Sequence, residues 1–451
     1  MSFPRYPEYK ESGVEWLGEV PAHWVVKRLS HYFEERREKA SDAEFAPLSV
    51  TKNGVVPRLE TAAKTQDGDN RKKVCVGDFV INSRSDRKGS AGLSPTDGTV
   101  SLICIVLEPK GVKGGFVHHL LRSAPFQEEF YRYGKGIVAD LWSTSFSEMK
   151  NIVLALPPND EQKHIATFLD HEIARIDALV EEQQHLIELL KEKRQAVISH
   201  AVTKGLDPDV PMKGSGVEWL GEVPEHWDVV PTGYRYEIQL GRMLNETRSS
   251  GENLKPYLRV FDVQWGAINT QGLPLMDFPP SAQKTYRLEP GDLMVNEGGS
   301  YVGRSAIWRG ELNECYYQKA LHRLRPRLHV SDTADFFLYV MEMATLKGVF
   351  VANANQTTID HLTAEQLRRH KFAFPPLAEQ KEIARYLEES TTKLERLTEE
   401  AQGLITLLQE RRSALISAAV TGKIDIRGWE ANQQPEQSEM LMVAEERATY
   451  G

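Results

Sequence analysis

Two loops carry side chains suited to reading a nucleic acid. The first is Asn82-Ser83-Arg84-Ser85-Asp86-Arg87-Lys88-Gly89-Ser90, set between the β-rich stretches 74–82 and 99–107. Arg84, Arg87 and Lys88 suit phosphates, and Asn82 and Ser83 suit base edges or sugars. The same composition also suits a solvated turn. The second loop follows residues 288–296 and reads Glu297-Gly298-Gly299-Ser300-Tyr301-Val302-Gly303-Arg304. Its glycines admit close backbone approach, Ser300 is a polar group, Tyr301 can stack and Arg304 brings charge. Two more segments stand near the ends of the same regions. Trp142-Ser143, with Thr144 and Ser145, is either a reading loop or a core anchor. Asn355, Gln356 and Thr357 lie in the polar run Asn353–Thr358, and Asn and Gln are the residue types that read adenine. Arg323 sits in a basic run, Gln318–Arg327, on a predicted strand.

Catalytic patterns are missing from the sequence. Pro157-Pro158 is followed by Asn159, and Pro375-Pro376 by Leu377, so neither forms the Asn-Pro-Pro-aromatic motif of an amino methyltransferase. No glycine fingerprint, GxSxG or HExxH occurs, and Gly298-Gly299 lacks the Lys-Ser/Thr ending of a phosphate loop. Cys75, Cys104 and Cys315 are far apart, which argues against a zinc site and for a reducing, cytoplasmic setting. Glu161-x-Lys163 and Glu379-x-Lys381 look like half a nuclease motif, but their place in a first helical turn makes them capping or surface groups. The expectation is a protein that is not an enzyme and holds no cofactor or metal.

Long helices must position the loops. From Pro157 to Asp207 the seam positions, apolar but for Gln183 and Arg194, follow at almost strictly alternating steps of four and three: Ile165, Leu169, Ile173, Ile176, Val180, Gln183, Ile187, Leu190, Arg194, Val197 and Ala201. That is a coiled-coil seam. At about 1.5 Å per residue the helix spans on the order of 65 Å and needs a partner along its length. The partner is in the same chain. Shifted by 218 residues, the seam recurs as Ile383, Leu387, Thr391, Leu394, Thr398, Ala401, Ile405, Leu408, Arg412, Leu415 and Ala419. The entry PPxxEQKxIA recurs too. Upstream of each helix lies a tryptophan clip, SGVEWLGEVPAHW at Ser12–Trp24 and SGVEWLGEVPEHW at Ser215–Trp227, differing only at Ala22 and Glu225. The chain is therefore duplicated: clip, globular region, long helix, twice. Equivalence of the halves places the N-terminal clip beside the end of the second helix, with Ser12 near Lys423.

A chain of 451 residues exceeds one core, and an apolar fraction of 41% is that of a globular protein without a transmembrane run. Met1–Lys10 lacks the apolar core of a secretory signal. The net charge of −9 is concentrated on the helices and tail: residues 160–205 carry nine acids against six bases, and 425–451 six against two. Local patches, not net charge, decide nucleic-acid binding.

With duplicated PPNDEQ and PPLAEQ helices, VEWLGEVPxHW clips and Gly77-Asp78 answered by Gly291-Asp292, the chain resembles the specificity subunit of type I restriction-modification systems over about residues 8–428. The resemblance implies an α+β fold: two α/β target-recognition domains separated by two long antiparallel coiled-coil helices, with internal two-fold pseudo-symmetry. The divisions would be 1–156, clip and first recognition domain; 157–207, central helix; 208–374, clip and second recognition domain; and 375–428, distal helix. Residues 429–451, rich in Gln and Glu with little apolar pattern, read by composition as a disordered tail. The resemblance also implies a non-catalytic subunit that binds double-stranded DNA, each domain reading half of a bipartite site. Two methyltransferase subunits would dock on the helices, with endonuclease-translocase subunits joining through them. The loop at Ser83 departs from the Gly-Gly form at Gly298. A system that only methylates, and a coiled-coil scaffold with two protein-binding heads, are the other readings open to the sequence.

Overall fold

The computed structural model describes residues 3–59, 70–136, 142–243, 250–328, 331–350 and 362–431. Asn355, Gln356, Thr357 and residues 432–451 of the tail lie outside the described residues. The chain divides into two compact units: Met1–Gln184 together with Gln402–Gly451, and His185–Ala401.

The first unit is built on an antiparallel sheet of β1 (Phe33–Glu35), β2 (Phe79–Asn82), β3 (Ala91–Leu93) and β4 (Cys104–Pro109), in the order β3-β2-β4-β1. Val, Ile and Phe at successive positions of β2 bury both faces. Helix α1 (Gly114–Arg122) turns Phe116, Val117, Leu120 and Leu121 into the core, and α2 (Ala124–Arg132) adds Phe126 and Phe130. Residues Val153–Leu156 then pair with Val25–Arg28, directly after the clip. Pro157 and Pro158, which cannot donate to a ladder, end that pairing, and the long helix α3 (Asn159–Lys204) begins. Gln162 fastens its start: the side chain donates to Pro157 O (2.9 Å) and accepts from Lys113 N ahead of α1 (2.9 Å).

The second unit repeats this plan. Strands β5 (Tyr236–Leu240), β6 (Leu293–Asn296), β7 (Ser305–Ile307) and β8 (Leu321–Pro326) form an antiparallel sheet in the order β7-β6-β8-β5, matching the first sheet strand for strand. Helix α4 (Ala334–Leu346) takes the place of α1, Asp228–Pro231 pairs with Lys371–Phe374, and α5 (Leu377–Val420) follows. Gln380 repeats the role of Gln162, donating to Pro375 O (2.9 Å) and accepting from Thr333 N (3.0 Å).

The seam residues are buried or half-buried throughout. In the first unit, Ile165 and Leu169 near the start of α3 share a core with Ala419 and Val420 at the end of α5, and Arg412 meets Asp177 at 3.3 Å. In the second, Ile198 and Ala201 near the end of α3 share a core with Ile383 and Leu387 at the start of α5, and Arg194 meets Glu395 at 3.2 Å.

Glu161 and Glu379 are not capping or surface groups; the structure corrects that expectation. Glu161, only 8% exposed, accepts from the Trp24 indole (2.9 Å), the Tyr6 hydroxyl (2.7 Å) and the His23 ring (2.7 Å). Glu379 accepts from Trp227 (3.0 Å) and His226 (2.7 Å). Each is the anchor of its clip. The N-terminal clip lies where the duplication places it, beside the end of α5. Lys423 donates to Leu17 O (3.0 Å) and Glu19 O (2.7 Å), and the Tyr9 hydroxyl to Gly422 O (3.1 Å).

The helix ends set limits on substitution. Gly422 has φ +72°, and a Cβ there would stand 2.3 Å from Pro21 Cδ; at Gly205 (φ +76°) the nearest atom would be 3.2 Å away, at the end of the Glu379 side chain. Both alanine variants incur the left-handed cost of about 1–2 kcal/mol. Gly422→Ala adds an overpacking cost of about 1–3 kcal/mol as the clip is pushed off. Thermal melts of the two variants should show the larger loss at Gly422→Ala; equal losses would mean that the Pro21 contact contributes nothing.

Candidate nucleic-acid interface

In the first unit the two loops singled out by composition are one surface. Asn82 ends β2 and is buried, and its Oδ1 accepts from Arg84 N (3.1 Å), turning the chain into a single 3-10 turn at Ser85–Arg87. The segment at Trp142 lies alongside. Ser85 N donates to Trp142 O (2.9 Å), Thr144 N to Ser83 O (3.0 Å), and Ser143 Oγ to Ser83 Oγ (2.9 Å). Asn82 and Ser83 thus serve mainly as the frame. Arg84, Arg87, Lys88, Trp142 and Ser143 supply the outer face. The two guanidiniums are held only loosely by Asp86, at 3.9 and 3.7 Å, whereas Lys88 is closely paired with Glu128. Such a face offers forked donors beside an exposed indole.

The second unit places a different set at the matching position. Asn296 ends β6, a 3-10 turn covers Gly299–Tyr301, and β7 follows. Ser300 is exposed. Arg304 stacks on Tyr301 with 4.6 Å between guanidinium carbon and ring centre, and donates to Gln264 Oε1 (2.6 Å). Gln264 in turn donates to Phe261 O (2.8 Å), and the exposed Phe261 ring carries Arg259 at 4.1 Å. Arg259, Phe261 and Gln264 were not singled out from the sequence. Arg-Val-Phe-Asp-Val-Gln reads there as an alternating strand, but Asp262 accepts from Arg259 N (2.8 Å), bends the chain and turns Phe261 outward.

Arg323 does not belong to this face. It is 4% exposed, donating to Glu237 Oε1 (2.9 Å) and Thr285 O (3.2 Å). Its neighbours are likewise committed: Arg325 to Asp292 (2.6 Å) and His322 to Leu362 O (2.7 Å), with burial lowering the His322 pKa. Within β8 the basic side chains are turned to internal partners, whereas Lys319 and Arg327 at the ends of the run are exposed. Among the described residues no cluster of His, Cys, Asp and Glu could hold a metal, and no helix is long and apolar enough to cross a membrane.

Residues 225–403 match the family model described as the type I restriction modification DNA specificity domain. The EcoKI specificity subunit of Escherichia coli (strain K12) is 22% identical over 444 residues, covering 92% of each chain. The putative MjaX specificity subunit of Methanocaldococcus jannaschii is 21% identical over 452 residues, 93% of this chain and 98% of its own. The chain is similar to type I restriction-modification specificity subunits. Solved structures show the same fold. The HsdS subunit from Thermoanaerobacter tengcongensis aligns with a TM-score of 0.57 at 18% identity, over 90% of this chain and 98% of its own. A chain from a study of complex assembly and conformational transition in the type I R-M system aligns with a TM-score of 0.70 at 16% identity, over 89% and 98%. The stretch matched by the family model begins at Glu225 in the second clip and ends within α5. The likeness to specificity subunits extends beyond it into the first unit, whose sheet has the same strand order.

Proposed function

We propose that this chain is the DNA-recognition subunit of a type I restriction-modification assembly, and that each globular region reads one half of a bipartite duplex site. The observation that carries this is the pair of matched, dissimilar loops. Sheets of identical strand order present Arg84, Arg87 and Trp142 in one unit and Tyr301, Arg304, Gln264 and Phe261 in the other. A repeated frame with different contents suits two readers of different sequences. Arginine forks and amides can discriminate base edges, and aromatic rings can contact bases.

The finer architecture belongs to the same proposal. The buried seam and the sharing of cores between opposite helix ends support an antiparallel coiled coil that spaces the two regions and docks two methyltransferase subunits, through which endonuclease-translocase subunits join. Catalysis then rests with the partners, and the bases to be methylated reach them by flipping out of the duplex. Phosphate contacts supply most of the affinity and its salt dependence.

Methylation profiling of a host genome with and without this protein is the direct test. A split methylated motif present only with the protein is expected; none would end the proposal. The halves should also separate by mutation. Changing Arg84 and Arg87 to Ala should alter only the first half-site, at about 1–3 kcal/mol for a lost base contact, or lower the salt slope by about 0.9 per lost phosphate contact. Changing Tyr301 and Arg304 should touch only the second. If both sets leave motif, affinity and salt slope unchanged, these loops are not the readers.

A further inference from the structure

One matched position of the two units carries opposite charge. The bonds from Lys113 N to Gln162 and from Thr333 N to Gln380 align α1 with α4, so that Arg122 and Glu342 fall at the same place in their helices. Arg412 and Arg194 are matched along the seam. In the second unit Arg194 is gripped by Glu342, closely, and by Glu395 at 3.2 Å: one guanidinium between two carboxylates. In the first unit Asp177 stands for Glu395, at 3.3 Å from Arg412, but Arg122 stands for Glu342. Two guanidiniums face each other where the other unit has an ion pair. Burial first, and then the charge of Arg412, hold the Arg122 pKa below its usual value.

These groups line a cavity of about 670 Å³ within the first unit, together with Lys52, Lys88 and His118. His118 accepts from Arg122 Nη1 (2.7 Å), and burial pushes its pKa down to about 4, so it stays neutral and adds no repulsion. Of the cavity's carboxylates, Asp170 is taken by His119 (2.7 Å) and Asp177 by Arg412. The volume lies in the range of small-molecule sites.

We propose that this cavity binds a phosphate-bearing anion, whose charge fills the place that Glu342 fills in the second unit. Exchanging a carboxylate for a guanidinium moves the local charge from −1 to +1. A carboxylate ligand would restore only half of that difference, whereas a phosphoryl dianion restores it all. Its several oxygens also suit the two guanidiniums and the exposed Lys52 ammonium; Arg122 Nη2 otherwise donates to Lys52 O, and Lys88 is held by Glu128. The phosphate is either a free one or a DNA backbone group beside the half-site, since Lys88 belongs to the loop of Arg84 and Arg87. The free-anion source stands without the function proposed above; the backbone source rests on it.

The test uses the purified full chain and two variants. Arg122→Glu copies the second unit and should pair with Arg412, keeping the fold. Lys52→Ala alters an exposed side chain at the rim. Inorganic pyrophosphate, followed by calorimetry, should bind the wild type and bind Arg122→Glu at least tenfold more weakly, if the source is free. If the source is DNA, pyrophosphate does not bind. Arg122→Glu and Lys52→Ala then each lower the salt slope of duplex binding by roughly one contact while the methylated motif is unchanged. The proposal is overturned if pyrophosphate binds wild type and variants alike, or if it fails to bind and the salt slope is the same in all three. Pyrophosphate binding by a chain with no duplex affinity would leave this site standing and remove the DNA-recognition reading.

Discussion

Leu408→Asp should destabilise the protein by about 3–5 kcal/mol, while Leu407→Asp, one residue away, should change stability by no more than about 0.5 kcal/mol. Leu408 is 9% exposed on the seam of α5, and Leu407 is 63% exposed. The aspartate at 408 would lose the apolar contact and leave an uncompensated charge in the seam. Against a total stability of about 5–15 kcal/mol, that is enough to depopulate the fold. The second unit offers the same comparison: Leu190 is 8% exposed and Leu189 47%. Denaturant midpoints of the four variants would decide it. Similar losses within each pair would mean that the seam does not hold the helices.

A comparable loss is expected from Glu161→Ala, by a different route. Glu161 accepts three hydrogen bonds, from Trp24 and His23 of the clip and from Tyr6 just before it, and the Trp24 indole is fully buried. Leaving such donors unpaired costs about 1–3 kcal/mol each, so about 3–5 kcal/mol is expected, with residues 3–24 becoming open to protease. Glu379→Ala removes two bonds from a carboxylate that is 27% exposed, where water can take over, and should cost less. Urea melts and limited proteolysis read the two effects separately. Equal costs at both positions, or a clip that stays protected in Glu161→Ala, would rule out the anchoring role.

What the sequence made legible was whatever repeats or has a period. The seam of α3 and α5 followed from a 3.5-residue spacing, and the two globular regions and the docking of the first clip beside Lys423 from the duplication of helix and clip. What it hid depends on distant partners. The role of Glu161 lies in Trp24, 137 residues away, and local spacing offered only a capping role. Arg323 looked like part of a basic face because the carboxylate of Glu237, 86 residues upstream, is invisible until the strands pair. Phe261 and Gln264 were concealed by a strand-like alternation that a single Asp262 side chain interrupts. The charge reversal at Arg122 emerges only when the two units are aligned by their helix caps.

The attachment of the clip to the far end of α5 bears on how the protein is made. The 406 residues between Leu17 and Lys423 take roughly 20–80 s to translate. During that interval Leu17, Val20 and Trp24 have no α5 terminus to cover them, although all are buried in the finished core. The second unit is one continuous stretch, His185–Ala401, and can close while its last residues leave the ribosome. The first unit must wait until the end of α5 has been made. A nascent product cut short before residue 402 therefore exposes an apolar clip to chaperones and proteases, and only chains that extend through the end of α5 bury it.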